Sequence, residues 1–119
     1  MKTILFVSYD FKFLYKLIEH YKQNSNYKIL IDKWDGHENH NYKKSLELLD
    51  KCDIIFCEWA LQNAVWYSKH KKKNQKLFIR LHRFEMNKRY LSYIYWYNVD
   101  KIIFISPKIK QIVSKKYDH

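Results

Sequence analysis

The sequence predicts an α/β protein with a parallel, doubly wound sheet. Five short apolar runs, rich in Ile and Phe, recur along the 119 residues, and segments with helical spacing separate them. Unbroken apolar runs suit strands that are buried on both faces, and parallel neighbours need a crossover, which is usually a helix. We therefore predict one domain over residues 1–119, with a single five-stranded parallel sheet and helices on both faces.

The predicted strands and helices alternate along the chain. The strands are Ile4–Val7, Ile29–Ile31, Ile54–Cys57, Leu77–Ile79 extended to Leu81, and Ile102–Ile105. The helical stripes are Leu14, Leu17, Ile18 and Tyr21; Leu46 and Leu49 within Asn41–Lys51; Leu61, Ala64, Val65 and Ser68; Tyr90, Leu91, Ile94 and Tyr95; and Ile109, Ile112 and Val113. The expected strand order is 3-2-1-4-5.

The chain is strongly basic, with 23 Lys and Arg against 12 Asp and Glu and a formal net charge of +11. Its hydrophobic content of 47% favours a folded basic domain over a disordered tail. No apolar run approaches the roughly 20 residues of a membrane-spanning helix, and the start of the chain lacks a signal-peptide pattern. We expect a cytoplasmic location, which includes peripheral contact with the anionic inner face of a membrane.

Cysteine and glycine usage excludes several kinds of site. Cys52 and Cys57 are too few for a disulfide framework and have no neighbours at zinc spacing, so they are interpreted as reduced packing residues. Gly36 is the single glycine, and neither a dinucleotide fingerprint nor a Walker loop can be built around it. His37 and His40 have the spacing of a ligand pair but no third ligand. We expect no cofactor and no metal site.

Candidate functional residues follow the carboxyl ends of the predicted strands, where ligands bind in open α/β sheets. They are Ser8, Tyr9 and Asp10; Trp34, Asp35, Gly36 and His37; Glu58 and Trp59; His82, Arg83 and Glu85; and Ser106 and Pro107. Four of these five ends carry an ionisable side chain, which is more than packing requires.

His82 and Arg83 suit a reacting centre, because an imidazole can exchange hydrogen bonds there and a guanidinium can clamp an anion. Alternatively, His82 caps the next helix and Arg83 pairs with Glu85. Glu58 beside Trp59 is typical of sugar sites, where a ring stacks on C–H faces and a carboxylate accepts from hydroxyls. The alternative is an acid at a helix N-terminus beside a core tryptophan.

Two further features have a simple structural interpretation. Asp10 can contact a ligand or cap a helix that begins near Phe11, and capping is favoured. The Lys69–Lys73 run is typical of a solvated face, although it can also attract phosphate, anionic lipid or nucleic acid.

Three segments carry a resemblance to a known family: Cys57–Ser68, Gln75–Glu85 with its Arg80-Leu81-His82-Arg83 core, and Val99–Ser106. Together they resemble the N-terminal half of bacterial retaining glycosyltransferases of the GT-B class, group 1 type. The resemblance implies two Rossmann-like domains that face each other across a cleft. The N-terminal domain binds the acceptor, and the C-terminal domain holds the nucleotide sugar.

The resemblance also implies roles for single residues. His82 matches the family histidine that reaches the transferred sugar, and it is the expected catalytic residue. Asp10, Glu58, Trp59, Arg83 and Glu85 are the expected substrate-binding residues. The implied partners are a nucleotide-sugar donor, bound through a second domain, and a glycan or lipid-linked acceptor in cell-surface polysaccharide synthesis. Without that second domain, the chain alone is expected to be inactive.

Two other classes compete with this interpretation. A receiver domain has a similar length and alternation, but it needs a phosphoacceptor Asp where this chain has Glu58, and Pro107 precedes Lys108 where the reverse order is expected. The charge and the 18% aromatic content also suit a nucleic-acid-binding module. However, no helix-turn-helix, RNP or finger pattern is present, so no specific nucleic acid is expected.

Overall fold

The computed structural model describes residues 1–12, 14–82 and 89–104. Its five strands form one all-parallel sheet. The strands are β1 (Lys2–Ser8), β2 (Tyr27–Lys33), β3 (Ile54–Glu58), β4 (Lys76–Leu81) and β5 (Lys101–Phe104). The helices are α1 (Tyr15–Lys22), α2 (Tyr42–Leu49), α3 (Gln62–His70) and the single turn α4 (Tyr90–Tyr93), followed by a 3₁₀ turn at Trp96–Asn98. The predicted α/β class with a doubly wound parallel sheet is confirmed.

The predicted strand order is wrong, because the sheet runs β2-β1-β3-β4-β5. The expected order put β3 at an edge and β2 inside. In the structure β3 is interior and buried from its second residue onward, whereas β2 is an edge strand that exposes Lys28, Ile31 and Lys33. Exposed charged residues such as Lys28 and Lys33 are tolerated on an edge strand, which suits β2 to the edge of the sheet. The unbroken apolar run of β3 suits a strand that is buried between two neighbours.

Two helix predictions also need correction. The first helix begins at Tyr15, not near Phe11, and no side chain caps it. The Asp10 carboxylate instead accepts a hydrogen bond from the Lys12 amide at 3.0 Å, which closes a local turn. The helix α4 ends before Ile94, whose ψ of 133° is extended. Residue 105 and the stripe at Ile109, Ile112 and Val113 lie outside the described residues.

Helices cover both faces of the sheet, as predicted. On one face Leu14, directly before α1, and Ile18 of α1 pack against Ile4, Phe6 and Phe56. The opposite face carries the larger core, which unites buried residues from α2, α3 and α4 with the central strands; they include Leu49, Ala64, Val65, Leu91, Leu5, Ile55 and Ile79. On the α1 face, a largely apolar groove of about 410 Å³ runs along the sheet towards Arg80.

Within the described part of the chain, no helix has the length and apolar character to cross a membrane. Cys52 and Cys57 are both free thiols in the core. Burial raises the pKa of Cys52 to about 12 and holds that of Cys57 well above its ordinary value. Both side chains therefore pack as neutral thiols, in agreement with the packing role expected of them.

A buried carboxylate fastens two helices to the edge strand. Asp32 of β2 is 1% exposed, and its Oδ2 accepts hydrogen bonds from Tyr67 Oη and Ser45 Oγ, each at 2.6 Å, and from Trp34 Nε1 at 3.1 Å. Burial and the nearby Asp32 charge raise the pKa of Tyr67, so its hydroxyl remains a donor. Since Ser45 lies on α2 and Tyr67 on α3, this one oxygen fixes both helices relative to β2.

We expect Tyr67→Phe to lower the free energy of unfolding by about 2 kcal/mol, because a hydrogen bond to a buried carboxylate is lost. Urea titration followed by circular dichroism measures this change. The matched control is Tyr42→Phe, which removes an exposed hydroxyl 3.2 Å from His70 Nε2 and should cost less than about 0.5 kcal/mol. Equal losses for both variants would contradict the role assigned to Asp32.

Candidate functional site

The candidate site lies at the carboxyl ends of the central strands. The chain leaves β1 for β2 and returns to β3 on the other side of β1, so the topological switch point falls between β1 and β3. Tyr9 follows β1 and Trp59 follows β3, and their rings lie 6.1 Å apart at this point. His82 directly follows β4, the next strand along the sheet.

Three charged or titratable side chains meet at the ends of β3 and β4. Glu58 is the register partner of Arg80, and its carboxylate is fully buried. Arg80 Nε lies 2.9 Å and 3.1 Å from the two carboxylate oxygens, and Arg80 Nη2 also donates to Oε2. His82 Nε2 hydrogen-bonds Glu58 Oε1. Glu58 thus connects the guanidinium with the imidazole.

The Arg80 and His82 contacts keep Glu58 ionised despite its burial. Burial by itself raises the pKa of this carboxyl group, but the hydrogen bonds and positive charges of Arg80 and His82 outweigh it and lower the pKa below its ordinary 4.5. An ionised Glu58 accepts hydrogen bonds only. The imidazole nitrogen that faces it is therefore a donor, which fixes the orientation of the His82 ring.

Trp59 has an unusual backbone conformation at the turn from β3 to α3. Its φ of 73° lies in the left-handed region, which costs free energy for a bulky residue. Asn63 holds the turn in place, since its Nδ2 donates to Glu58 O at 3.0 Å and to Val7 O at 3.2 Å, while its Oδ1 accepts from Ala64 N at 2.7 Å. This conformation directs the Trp59 ring towards β4.

Aromatic rings form a continuous row across the switch point. The Trp59 and His82 rings stack with centroids 3.9 Å apart and planes at 24°. Tyr9 lies beyond Trp59, and the His37 ring meets Tyr9 edge-on at 4.8 Å. The row joins the ends of β2, β1, β3 and β4, and it offers a long aromatic surface beside the buried Glu58 charge.

The loop after β2 reaches across to the start of α4. Gly36, at φ +77°, and a backbone bridge between Asp35 and Asn39 shape this loop. Glu38 Oε1 accepts from Tyr90 Oη at 2.6 Å and from Arg89 Nη2 at 2.5 Å. Burial and the hydrogen bond to Glu38 raise the pKa of Tyr90 to about 12, so this contact persists through neutral pH. Because β1 and β3 lie between β2 and β4, the contact spans the switch point.

The structure brings together Glu58, Trp59 and His82 among the residues singled out from sequence. Asp10 lies at the same sheet edge, but its carboxylate closes the turn to Lys12. Arg83 and Glu85 lie outside the described residues. His82 directly follows the last residue of β4, and its side chain is 10% exposed. Its proximity to Glu58 makes it the centre of the candidate site.

Sequence reasoning missed Arg80 and Asn63. A signal for Arg80 was present: it is the one charged residue inside the apolar run Leu77–Leu81 and stands two residues before His82, on the same face of a strand. Asn63 gave no comparable signal, because its role depends on a turn whose geometry only the fold reveals.

His37 and His40 face different surroundings. His37 lies against Tyr9, whereas His40 stacks on Trp34 with ring centroids 3.7 Å apart. His40 Nδ1 lies 2.6 Å from Ser45 Oγ; since Ser45 donates its proton to Asp32, the imidazole must be the donor. Burial lowers the pKa of His40.

Across residues 1–12, 14–82 and 89–104, no group of three or more His, Cys, Asp or Glu is arranged to hold a metal ion.

Comparisons of the chain with protein-family models, with curated proteins and with solved structures gave no match.

We expect Glu58→Gln to lower the free energy of unfolding by about 3 kcal/mol at neutral pH, because it leaves Arg80 without its counter-charge. The native pKa of Glu58 is below its unfolded value, so the pair stabilises the fold above about pH 4.5 and loses this effect as the pH falls through the native pKa. Urea titrations from about pH 7 to about pH 3 should show the difference between wild type and variant shrinking.

Glu47→Gln is the matched control, since Glu47 is exposed on α2. It should follow the wild-type pH profile throughout. A Glu58→Gln deficit that stayed constant over this range would argue against an ionised Glu58 as the source of the stabilisation.

Proposed function

We propose that the chain is the acceptor-side, N-terminal domain of a retaining GT-B glycosyltransferase that uses a nucleotide-sugar donor. The observation that carries this proposal is the stack of His82 on Trp59, with the His82 ring held by the buried Glu58 carboxylate. An aromatic face suits the apolar C–H face of a sugar, and an oriented imidazole can hydrogen-bond a sugar hydroxyl. The sequence resemblance around Arg80–Arg83 supports the same assignment.

In this proposal Glu58 acts as a positioning residue. Its carboxylate is fully buried and already engaged by Arg80 and His82, which argues against a direct contact with an acceptor hydroxyl. Glu58 instead orients His82, and Arg80 compensates the charge of Glu58. Glycosyl transfer develops positive charge on the sugar ring, which makes the sugar hydroxyls stronger donors. A hydrogen bond that such a hydroxyl donates to the positioned imidazole therefore strengthens in the transition state at little reorganisation cost.

In the proposed enzyme, donor and acceptor are bound by two different domains. A second domain binds the nucleotide sugar and stabilises the leaving diphosphate, while this domain presents Trp59 and Tyr9 to the acceptor. The acceptor is a glycan or a lipid-linked glycan of cell-surface polysaccharide synthesis. The enzyme then acts in the cytoplasm, at the inner face of the membrane, where such acceptors are held.

The strand order also occurs in flavodoxin-like proteins and receiver domains. A receiver needs an accessible carboxylate at the end of β3 to accept a phosphoryl group. Glu58 occupies that position, but it is buried and ion-paired with Arg80. The geometry therefore favours the glycosyltransferase proposal over a receiver.

The test is binding of methyl glycosides of glucose, galactose and N-acetylglucosamine to the chain, followed by NMR. The indole N–H of Trp59 should shift on titration, while those of Trp34, Trp66 and Trp96 serve as internal controls. His82→Ala should weaken binding about tenfold, because one hydrogen bond is lost. Trp59→Gly should abolish it, and glycine suits the left-handed backbone, so the fold should survive.

His20→Ala, an exposed histidine on α1, is the matched control and should bind as wild type does. If no glycoside shifts the Trp59 resonance, or if His20→Ala and His82→Ala weaken binding equally, the acceptor-site assignment fails. The chain alone should not turn over a nucleotide sugar. Turnover by the isolated chain would overturn the division into two domains.

A further inference from the structure

Exposed tyrosines and lysines meet at the other end of the molecule. Tyr97 is 89% exposed, and Tyr93 and Tyr95 are about half exposed. The Tyr95 and Tyr97 rings lie 6.1 Å apart. Together with Lys69 and Lys73, these three tyrosines are termed the tyrosine–lysine patch.

Hydrogen bonds join the two parts of the patch. Tyr95 N donates to Ser68 Oγ at 2.9 Å, and Asn98 Nδ2 donates to Ser68 O at 2.8 Å. Ser68 is followed directly by Lys69, so the tyrosine segment lies against the end of α3 where the lysine run begins. This end of α3 points towards the amino ends of the strands, away from His82.

The patch carries positive charge that the surrounding acids leave uncompensated. Lys71 pairs with Asp100 at 3.6 Å, and Lys72 pairs with Asp50. Lys69 and Lys73 are exposed, and neither forms an ion pair with any acid in the described ranges. The chain as a whole carries a net charge of +11, so an anionic partner is also favoured at longer range.

We propose that the tyrosine–lysine patch docks on an anionic lipid surface. Tyrosine is enriched at the membrane interface because its ring is apolar and its hydroxyl is polar, and lysines are attracted to anionic headgroups. A flat lipid surface suits side chains as exposed as those of Tyr97, Lys69 and Lys73. This docking rests on the proposed function, which places the enzyme at the inner face of the membrane. The patch is the surface that contacts the membrane there, and anionic headgroups are the lipids it contacts. In this orientation the switch point faces away from the bilayer.

Cosedimentation with vesicles tests the docking. The chain should bind vesicles of phosphatidylcholine with phosphatidylglycerol and not vesicles of phosphatidylcholine alone, and added salt should weaken binding. Lys69→Gln/Lys73→Gln should lower affinity about 25-fold, because each lysine near an anionic surface contributes about fivefold. The control Lys28→Gln/Lys33→Gln removes the same charge from the β2 edge and should have little effect.

Tyr97→Ser should weaken vesicle binding several-fold, whereas Tyr15→Ser on α1, which is 66% exposed, should not. Equal effects of patch and control variants would overturn the proposal, as would an absence of binding to the anionic vesicles. Preference for a single-stranded oligonucleotide over these vesicles would also overturn it in favour of nucleic acid. Patch variants should keep the glycoside response of Trp59, so failure here is distinct from failure of the proposed function.

Discussion

The buried carboxylate of Glu58 is the constraint on which the rest of the candidate site depends. Removing an ionised carboxylate from water costs several kcal/mol unless charge and hydrogen bonds replace the lost hydration. The parallel register supplies both, because it places Arg80 directly beside Glu58 and His82 two residues further along the same face. A one-residue slip of β4 against β3 would send Arg80 and His82 to the opposite face of the sheet and leave the carboxylate unpaired. The requirement that stabilises the charge therefore also specifies the pairing of these two strands.

The turn after β3 follows from the same requirement. With Glu58 fixed as the last residue of β3, Trp59 must leave the strand at once, and its left-handed φ lets the chain turn into α3 while its ring covers His82. Asn63 compensates by bonding the backbone of both β1 and β3. Strain of this kind persists only where the surroundings hold it in place. The hydrogen bonds of Asn63 and the stack on His82 are the surroundings that hold the strained Trp59 in place.

Much of the fold was predictable because apolar runs and helical stripes report burial directly. All five predicted strands are present, although residue 105 lies outside the described part. Strand order was not predicted correctly, because order depends on which strand tolerates an exposed edge, and the charges of Lys28 and Lys33 in β2 were the signal for that. The site was predictable as an edge carrying Glu58, Trp59 and His82. Its internal pairing was not, because whether a carboxylate faces solvent or Arg80 is decided by register.

Acids that are buried in the core do not neutralise lysines on the surface. Among the acids in the described part of the chain, Asp32 and Glu58 are buried, and each serves an internal network. Asp32 is held by neutral donors, so its charge organises helices without cancelling a surface lysine. Glu58 forms an ion pair with Arg80, so the positive charge of Arg80 is neutralised and does not add to the surface charge. At the end of α3, Asp100 pairs with Lys71 and Asp50 pairs with Lys72. Lys69 and Lys73 form no ion pair with the described acids, so the positive charge that faces solvent here is that of these two lysines.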